Sequence, residues 1–154
     1  MSDSSFSALW RRYRHLSPDE RRTLRQAVTM VPSMHVAVRD LGFNALQRWV
    51  AHTPVALGHW TEADALRISV VSINRVKDFS LLPGNCLSQS LALARLLRQR
   101  GVVPDLRLGA RLTGPQLDAH AWVEYDGRVL NDTQDVGARF PPLSTARPDR
   151  RQSY

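Results

Sequence analysis

Hydrophobic residues repeat with two different spacings along the chain, and the change of spacing separates a helical part from a strand-bearing part. Up to about residue 80 they recur every three to four positions, which is the spacing of one face of a helix. From residue 105 they alternate with polar residues, as in a half-buried strand. We therefore predict a single α+β domain over 1–154, with a helical subregion at 1–80, a core at 81–140 and a loosely held tail at 141–154.

Residues typical of helix starts mark two of the predicted helices. Ser17 is followed by a proline in the first turn and by a glutamate three residues on, which is the arrangement of a capping box. The helix that begins there should end or kink at Pro32, and a second helical stretch covers 36–50 with a bend at Gly42. Thr61 opens a third helix, although its β-branched run at 68–71 would also suit a strand.

Three strands are predicted in the second half of the chain. Residues 105–112 alternate strictly between apolar and polar side chains, and a Thr-Gly-Pro sequence then ends the strand. Two further strands, 120–125 and 128–131, flank Asp126 and Gly127, a pair that strongly favours a hairpin turn. The strands should form a small antiparallel sheet.

The loop length of this hairpin decides where two polar side chains lie. A two-residue loop would place His120 and Asp132 on opposite faces of the sheet, because side chains alternate along a strand. A three-residue loop would place them directly opposite each other and would also pair Glu124 with Arg128. Each matched cross-strand pair contributes roughly 0.2–1 kcal/mol. We therefore predict the three-residue loop, with His120 beside Asp132.

The single cysteine, Cys86, lies where a loop becomes a helix. Residues 82–85 form a helix-breaking run, and 86–97 have the apolar spacing of a helix. Unpaired N–H groups and the helix dipole favour an anion there, and the thiolate is the nucleophilic form of cysteine. Taken alone, a free cysteine is more often a small buried packing residue, and His120 and Asp132 taken alone have ordinary structural roles. Together the three residues predict the catalytic triad of a thiol hydrolase or acyl transferase.

Composition limits the remaining possibilities. One cysteine excludes an internal disulfide and a thiolate-rich zinc site, and the five histidines have no metal-ligand spacing, so no metal or cofactor is expected. The net charge of +7 is carried almost wholly by arginine and suits an acidic peptide or protein partner. Nucleic acid is a weaker candidate, because no nucleic-acid motif or aromatic stacking platform is visible. The chain has no secretion signal and no membrane-spanning stretch, so we expect a cytoplasmic protein.

Several short motifs of the second half resemble one enzyme family. They are CLSQSLAL at 86–93, LRQRGV at 97–102, LRLG at 106–109, HAWVE at 120–124 and LND at 130–132. In this order they resemble the leader peptidases of lasso-peptide biosynthesis, which belong to the transglutaminase-like, papain-related superfamily. The resemblance implies a papain/transglutaminase-like core in which a cysteine-bearing helix packs on a small antiparallel sheet.

The resemblance also implies a function and partners. Such a peptidase removes the leader from a ribosomally made precursor peptide, and a separate ATP-dependent cyclase then closes the lasso ring. The chain looks too short to include a leader-recognition domain, so a small separate recognition protein is expected. Cys86 would be the nucleophile, His120 its base and Asp132 the residue that orients the imidazole. Two alternatives stay open: a transglutaminase-like acyl transferase, and a catalytically silent scaffold that binds peptide.

Overall fold

The computed structural model describes residues 13–56, 58, 60–78 and 84–143. Predictions for residues 82 and 83 of the helix-breaking run, and for 144–154 of the tail, lie outside the described residues. The helices are α1 (Pro18–Leu41), α2 (Phe43–Ala51), α3 (Glu62–Asp78), α4 (Cys86–Arg98) and α5 (Val136–Arg139), and the strands are β1 (Asp105–Thr113), β2 (Gln116–Tyr125) and β3 (Arg128–Val129). The strands form one antiparallel sheet in the order β1-β2-β3, so the α+β prediction is confirmed.

The helical subregion follows the predicted starts more closely than the predicted stops. Ser17 and Glu20 form the capping box at the start of α1. Pro32 lies inside α1 rather than ending it. The break comes at Gly42, where a bend was predicted and whose φ of 81° is a conformation that glycine tolerates. Thr61 accepts a hydrogen bond from the N–H of Asp64 at the start of α3, which includes the β-branched run as helix.

Helix α4 lies at the centre of the hydrophobic core. Its leucines at 91, 93, 96 and 97 are fully buried among α1, α3 and the face of β2 that carries Val123. Burying each such side chain stabilises the fold by about 1.5–3 kcal/mol. Just after α4, the buried Arg100 donates to Thr23 Oγ1 and Gln26 Oε1 of α1, both at 2.8 Å. The start of the sheet region is therefore fixed firmly to the helices.

The β2–β3 hairpin has the two-residue loop, so the predicted three-residue register is wrong. Tyr125 pairs with Arg128, and Glu124 lies opposite Val129. Asp126 and Gly127 have φ values of 49° and 74°, and a turn with two positive φ values closes a hairpin through two residues. Instead of the expected ion pair with Arg128 on β3, Glu124 forms an ion pair with Arg107 on β1, the strand on the other side of β2. Arg107 Nε lies 3.0 Å from Glu124 Oε2.

Strand β3 is shorter than predicted, because the side chain of Asn131 takes over a hydrogen bond that a longer strand would make to β2. The N–H of Val123 donates to Asn131 Oδ1 at 2.8 Å instead of to a strand carbonyl. The side chain of Gln134 accepts from the N–H of Val129 and donates to its carbonyl. The chain therefore leaves the sheet after Val129, and the edge of β2 beyond that point has no strand beside it.

The first residues of the predicted loose tail lie along the outer edge of β1. Pro141 O accepts from the N–H of Ala110 at 3.2 Å, and the N–H of Leu143 donates to Leu108 O at 2.8 Å. The described structure is thus ordered by backbone pairing as far as Leu143, where the sequence pattern predicted a loose segment.

Candidate active site

Cys86 is the first residue of α4, and its half-buried thiol is free. Asn85 caps the helix: its Oδ1 accepts from the N–H of Ser88, and its own N–H donates to Ser88 Oγ, both at 2.9 Å. This reciprocal cap fixes the direction in which the chain enters the helix. As the first residue of α4, Cys86 carries one of the N–H groups that have no acceptor within the helix, at the positive end of the helix dipole.

His120 and Asp132 form a close pair on the sheet. His120 Nε2 donates to Asp132 Oδ2 over 2.6 Å, and the two side chains are 22% and 18% exposed. The other carboxylate oxygen accepts from the N–H of Thr133 and from Arg139 Nη2, each at 2.7 Å. One carboxylate oxygen of Asp132 therefore binds the imidazole, and the other accepts the hydrogen bonds that hold Asp132 itself in place.

The same contacts determine the acidity of Asp132. Burial by itself raises the pKa of this carboxyl, since it disfavours the charged form. The hydrogen bonds from His120 and from the N–H of Thr133 act the other way, as do the nearby charges of His120 and Arg139. These contacts outweigh burial, so the pKa of Asp132 lies below its ordinary value and the group is an anion at neutral pH.

Aromatic rings hold the imidazole in place. The His120 ring stacks on Phe140 with 4.8 Å between centroids, and Trp122 lies 6.4 Å away on the same face of β2. Trp122 is fully buried, and its Nε1–H donates to Glu124 Oε1. Phe140 reaches this position only because Gly109 lies beneath it: a Cβ there would come within 2.3 Å of the Phe140 carbonyl oxygen.

Helix α4 is hydrogen-bonded to β2 next to His120, on the edge of β2 that β3 leaves open. Val123 directs its N–H and carbonyl to this edge, and Ala121, two residues away, directs its own groups the same way. Ser90 of α4 donates to the carbonyl oxygen of Ala121 at 3.1 Å. Cys86 lies one helical turn before Ser90 on α4, and His120 directly precedes Ala121 on β2, so this bond joins the helix of the thiol to the strand of the imidazole.

The structure thus brings two of the three predicted residues into contact. The hairpin register would have separated His120 and Asp132, but the chain leaves the sheet after Val129 and carries Asp132 back to the imidazole. The thiol of Cys86 makes no hydrogen bond within the described part of the chain, so the third predicted residue is linked to the other two only through the bond from Ser90 of α4 to Ala121 of β2.

Sequence reasoning missed four residues that build this site. They are Ser90, Asn131, Arg139 and Phe140. A signal existed for two of them: Ser90 is a polar residue among the apolar positions of α4, and Asn131 is a polar residue at the end of an apolar strand pattern. Arg139 and Phe140 depend on how the chain folds back after β3, which no local pattern indicates.

Comparison with known proteins agrees with this architecture. A family model described as the transglutaminase-like superfamily matches residues 28–145. The microcin J25-processing protein McjB of Escherichia coli is 31% identical over 75 residues. That alignment covers 49% of this chain and only 35% of the relative, so the chain spans about a third of the relative's length. No solved structure matches the chain.

No helix within the described residues is both long and apolar enough to cross a membrane.

The family match covers α2, α3, α4, the whole sheet and most of α1, and therefore both the cysteine-bearing helix and the His120–Asp132 pair. The chain belongs to the transglutaminase-like superfamily.

Proposed function

We propose that this protein is a cysteine peptidase that removes the leader peptide from a lasso-peptide precursor. The observation that carries the proposal is the 2.6 Å contact between His120 and Asp132 beside a helix that begins with a free cysteine. The similarity to a microcin-processing protein supports a peptide precursor as the substrate. A separate leader-recognition protein and the lasso cyclase are the proposed partners.

The roles of the three residues follow from their hydrogen bonds. Asp132 binds Nε2 of His120, which leaves Nδ1 to accept the thiol proton of Cys86. The thiolate attacks the carbonyl at the leader–core junction, and His120 then protonates the departing amine of the core. Water, deprotonated by His120, attacks the thioester and releases the leader as a carboxylate, which regenerates the thiol.

Two features of the site favour this chemistry. The N–H of Cys86, at the start of the helix, is a donor for the tetrahedral oxyanion. The anionic Asp132 stabilises the imidazolium that forms when His120 takes the proton, and Arg139 and Thr133 hold the carboxylate so that it does so in one orientation.

The proposal is tested with a precursor peptide and a recognition protein from the genes adjacent to this one. We expect two products whose masses sum to the precursor plus one water, and no product with Cys86→Ala. The control is Ser69→Ala, a buried serine of α3 far along the chain from the three residues, which should cleave like the wild type.

The same mass measurement separates the two alternatives. A transglutaminase-like acyl transferase would give a product that contains an added amine instead of water. A silent scaffold would bind the precursor without any change in its mass. Either outcome would overturn the peptidase proposal.

A further inference from the structure

A chain of buried hydrogen bonds links the three segments that carry the proposed triad. Asn131 Nδ2 donates to Ser90 Oγ at 2.9 Å, and Ser90 Oγ donates to the carbonyl oxygen of Ala121 at 3.1 Å. Asn131 Oδ1 accepts from the N–H of Val123 at 2.8 Å. Two side chains thus satisfy backbone groups on the edge of β2 where a longer β3 would have paired.

Each proposed catalytic residue is a close neighbour of one member of this chain. Cys86 precedes Ser90 by four residues, so the two lie one above the other on one face of α4. His120 adjoins Ala121 on β2, and Asp132 adjoins Asn131. The hydrogen bonds therefore join the helix of the nucleophile, the strand of the base and the loop of the carboxylate at one point.

The position of Ser90 is unusual for a residue with only a packing role. Ser90 is fully buried, and Leu91, Ala92, Leu93 and Ala94 follow it in α4. A buried hydroxyl destabilises a fold unless it is hydrogen-bonded, and its bonds are stronger away from water. An alanine would fill the same space without this risk, so the hydroxyl is explained by the two bonds that it makes.

We infer that Ser90 and Asn131 are positioning residues that set the distance between the Cys86 thiol and the His120 imidazole. The inference rests on the proposed function, because it assumes that these two groups react together. The Ser90 hydroxyl, one turn after Cys86, makes the hydrogen bond from α4 to β2 in the described structure, and without it the start of α4 and its thiol would move relative to the ring. A displacement of about 1 Å lowers the rate of a positioned reaction by about 10²-fold.

The test compares Ser90→Ala with Ser90→Thr and with Ser69→Ala. Threonine keeps the hydroxyl at position 90, and Ser69 is a buried serine whose hydroxyl has no hydrogen-bond partner in the described structure. Two quantities are measured: kcat and KM for precursor cleavage, and the rate of Cys86 alkylation by iodoacetamide at pH 6 relative to pH 9. Folded fractions come from urea unfolding, and rates are expressed per folded molecule.

For Ser90→Ala we expect kcat to fall by about 10- to 100-fold with KM changed less than about twofold, and the alkylation ratio to fall about tenfold. Ser90→Thr should recover most of both, and Ser69→Ala should match the wild type. Wild-type kcat and alkylation ratio in folded Ser90→Ala would overturn the inference while leaving the proposed function intact.

A second variant covers the case in which Ser90→Ala does not fold. Asn131→Asp keeps the acceptor for Val123 but replaces the amide that donates to Ser90, and it should show the same loss in kcat and in the alkylation ratio. Unchanged values in this variant also contradict the inference. A wild-type protein that does not cleave the precursor would overturn the proposed function, whereas the alkylation ratios would still report on the positioning.

Discussion

At the scale of single residues, the residues that hold His120 are themselves held in place by further contacts, and these matter as much as the direct ones. His120 is held by the Asp132 carboxylate on its edge and by Phe140 on its face. Asp132 is in turn held by Arg139 and Thr133, and Phe140 by the absence of a side chain at Gly109. Substitutions at these supporting residues should therefore change the position of the imidazole, although the residues themselves do not contact it.

Gly109→Ala should lower both stability and activity. The new Cβ would lie 2.3 Å from the Phe140 carbonyl, so the backbone must move, at a cost of about 1–3 kcal/mol in the free energy of unfolding. Phe140 would leave the His120 ring, and cleavage should slow. The matched control is Gly137→Ala, whose Cβ meets nothing within 4 Å. Urea unfolding and cleavage rates check both; equal behaviour of the two variants would contradict the packing argument.

Arg139→Ala should shift the titration of Asp132. The pKa of this carboxyl lies below its ordinary value, so its contribution to stability is present above the unfolded-state pKa and is lost as pH falls through the folded-state pKa. Removing Arg139 takes away one cause of the depression, so the folded-state pKa of Asp132 should rise towards its ordinary value and the stability that the ionised carboxyl contributes should become smaller. A carbon-13 NMR titration of the Asp132 carboxyl measures this directly. An unchanged titration would mean that Arg139 does not act on the carboxylate.

At the scale of secondary-structure elements, the capped helix starts could be predicted from the sequence, whereas the register of the β2–β3 hairpin could not. The starts of α1 and α4 and the first strand follow from residues adjacent in sequence. The register of the β2–β3 hairpin depended on the positive φ values of Asp126 and Gly127, which outweighed the cross-strand charge match. The contact between His120 and Asp132 was predicted, but it forms because the side chain of Asn131 replaces a backbone partner of β2 and ends β3 early, a competition that the apolar pattern does not reveal.

Asn85→Ala and Ser17→Ala remove equivalent capping boxes from α4 and α1. Each should lower the free energy of unfolding by about 1 kcal/mol, since each leaves an N–H of the first turn unpaired. Only Asn85→Ala should also slow cleavage and Cys86 alkylation, because only α4 carries the thiol. Urea unfolding and the two rate measurements provide the comparison. A similar loss of activity in Ser17→Ala would show that activity follows global stability alone.

At the scale of the whole molecule, the helices and the face of the sheet that carries Val123 share one hydrophobic cluster. Buried side chains of α1, α3 and α4 belong to the same cluster as Val123 of β2, and Arg100 links the end of α4 to α1. The predicted α+β class and the order of the elements were correct for this reason: amphipathic helices and strands of this number can bury their apolar faces only against each other. How the chain returns after β3 to complete the site depends on long-range contacts and could not be predicted.

The shared core predicts a single unfolding transition. Far-UV circular dichroism reports mainly on the helices, whereas tryptophan fluorescence includes Trp122 in the sheet as well as Trp49 and Trp60 in the helical subregion. The two signals should therefore change at the same urea concentration. Separate midpoints would indicate that the helical subregion and the sheet unfold independently.

The central claim is that His120 activates the thiol of Cys86, and the rate of Cys86 alkylation at pH 6 tests it most directly. The wild type is compared with His120→Ala, and urea-unfolded samples of both give the intrinsic reactivity of the thiol. The account predicts that the folded wild type reacts at least about tenfold faster than folded His120→Ala, and that the unfolded samples react alike. Equal rates for the two folded proteins would contradict the account.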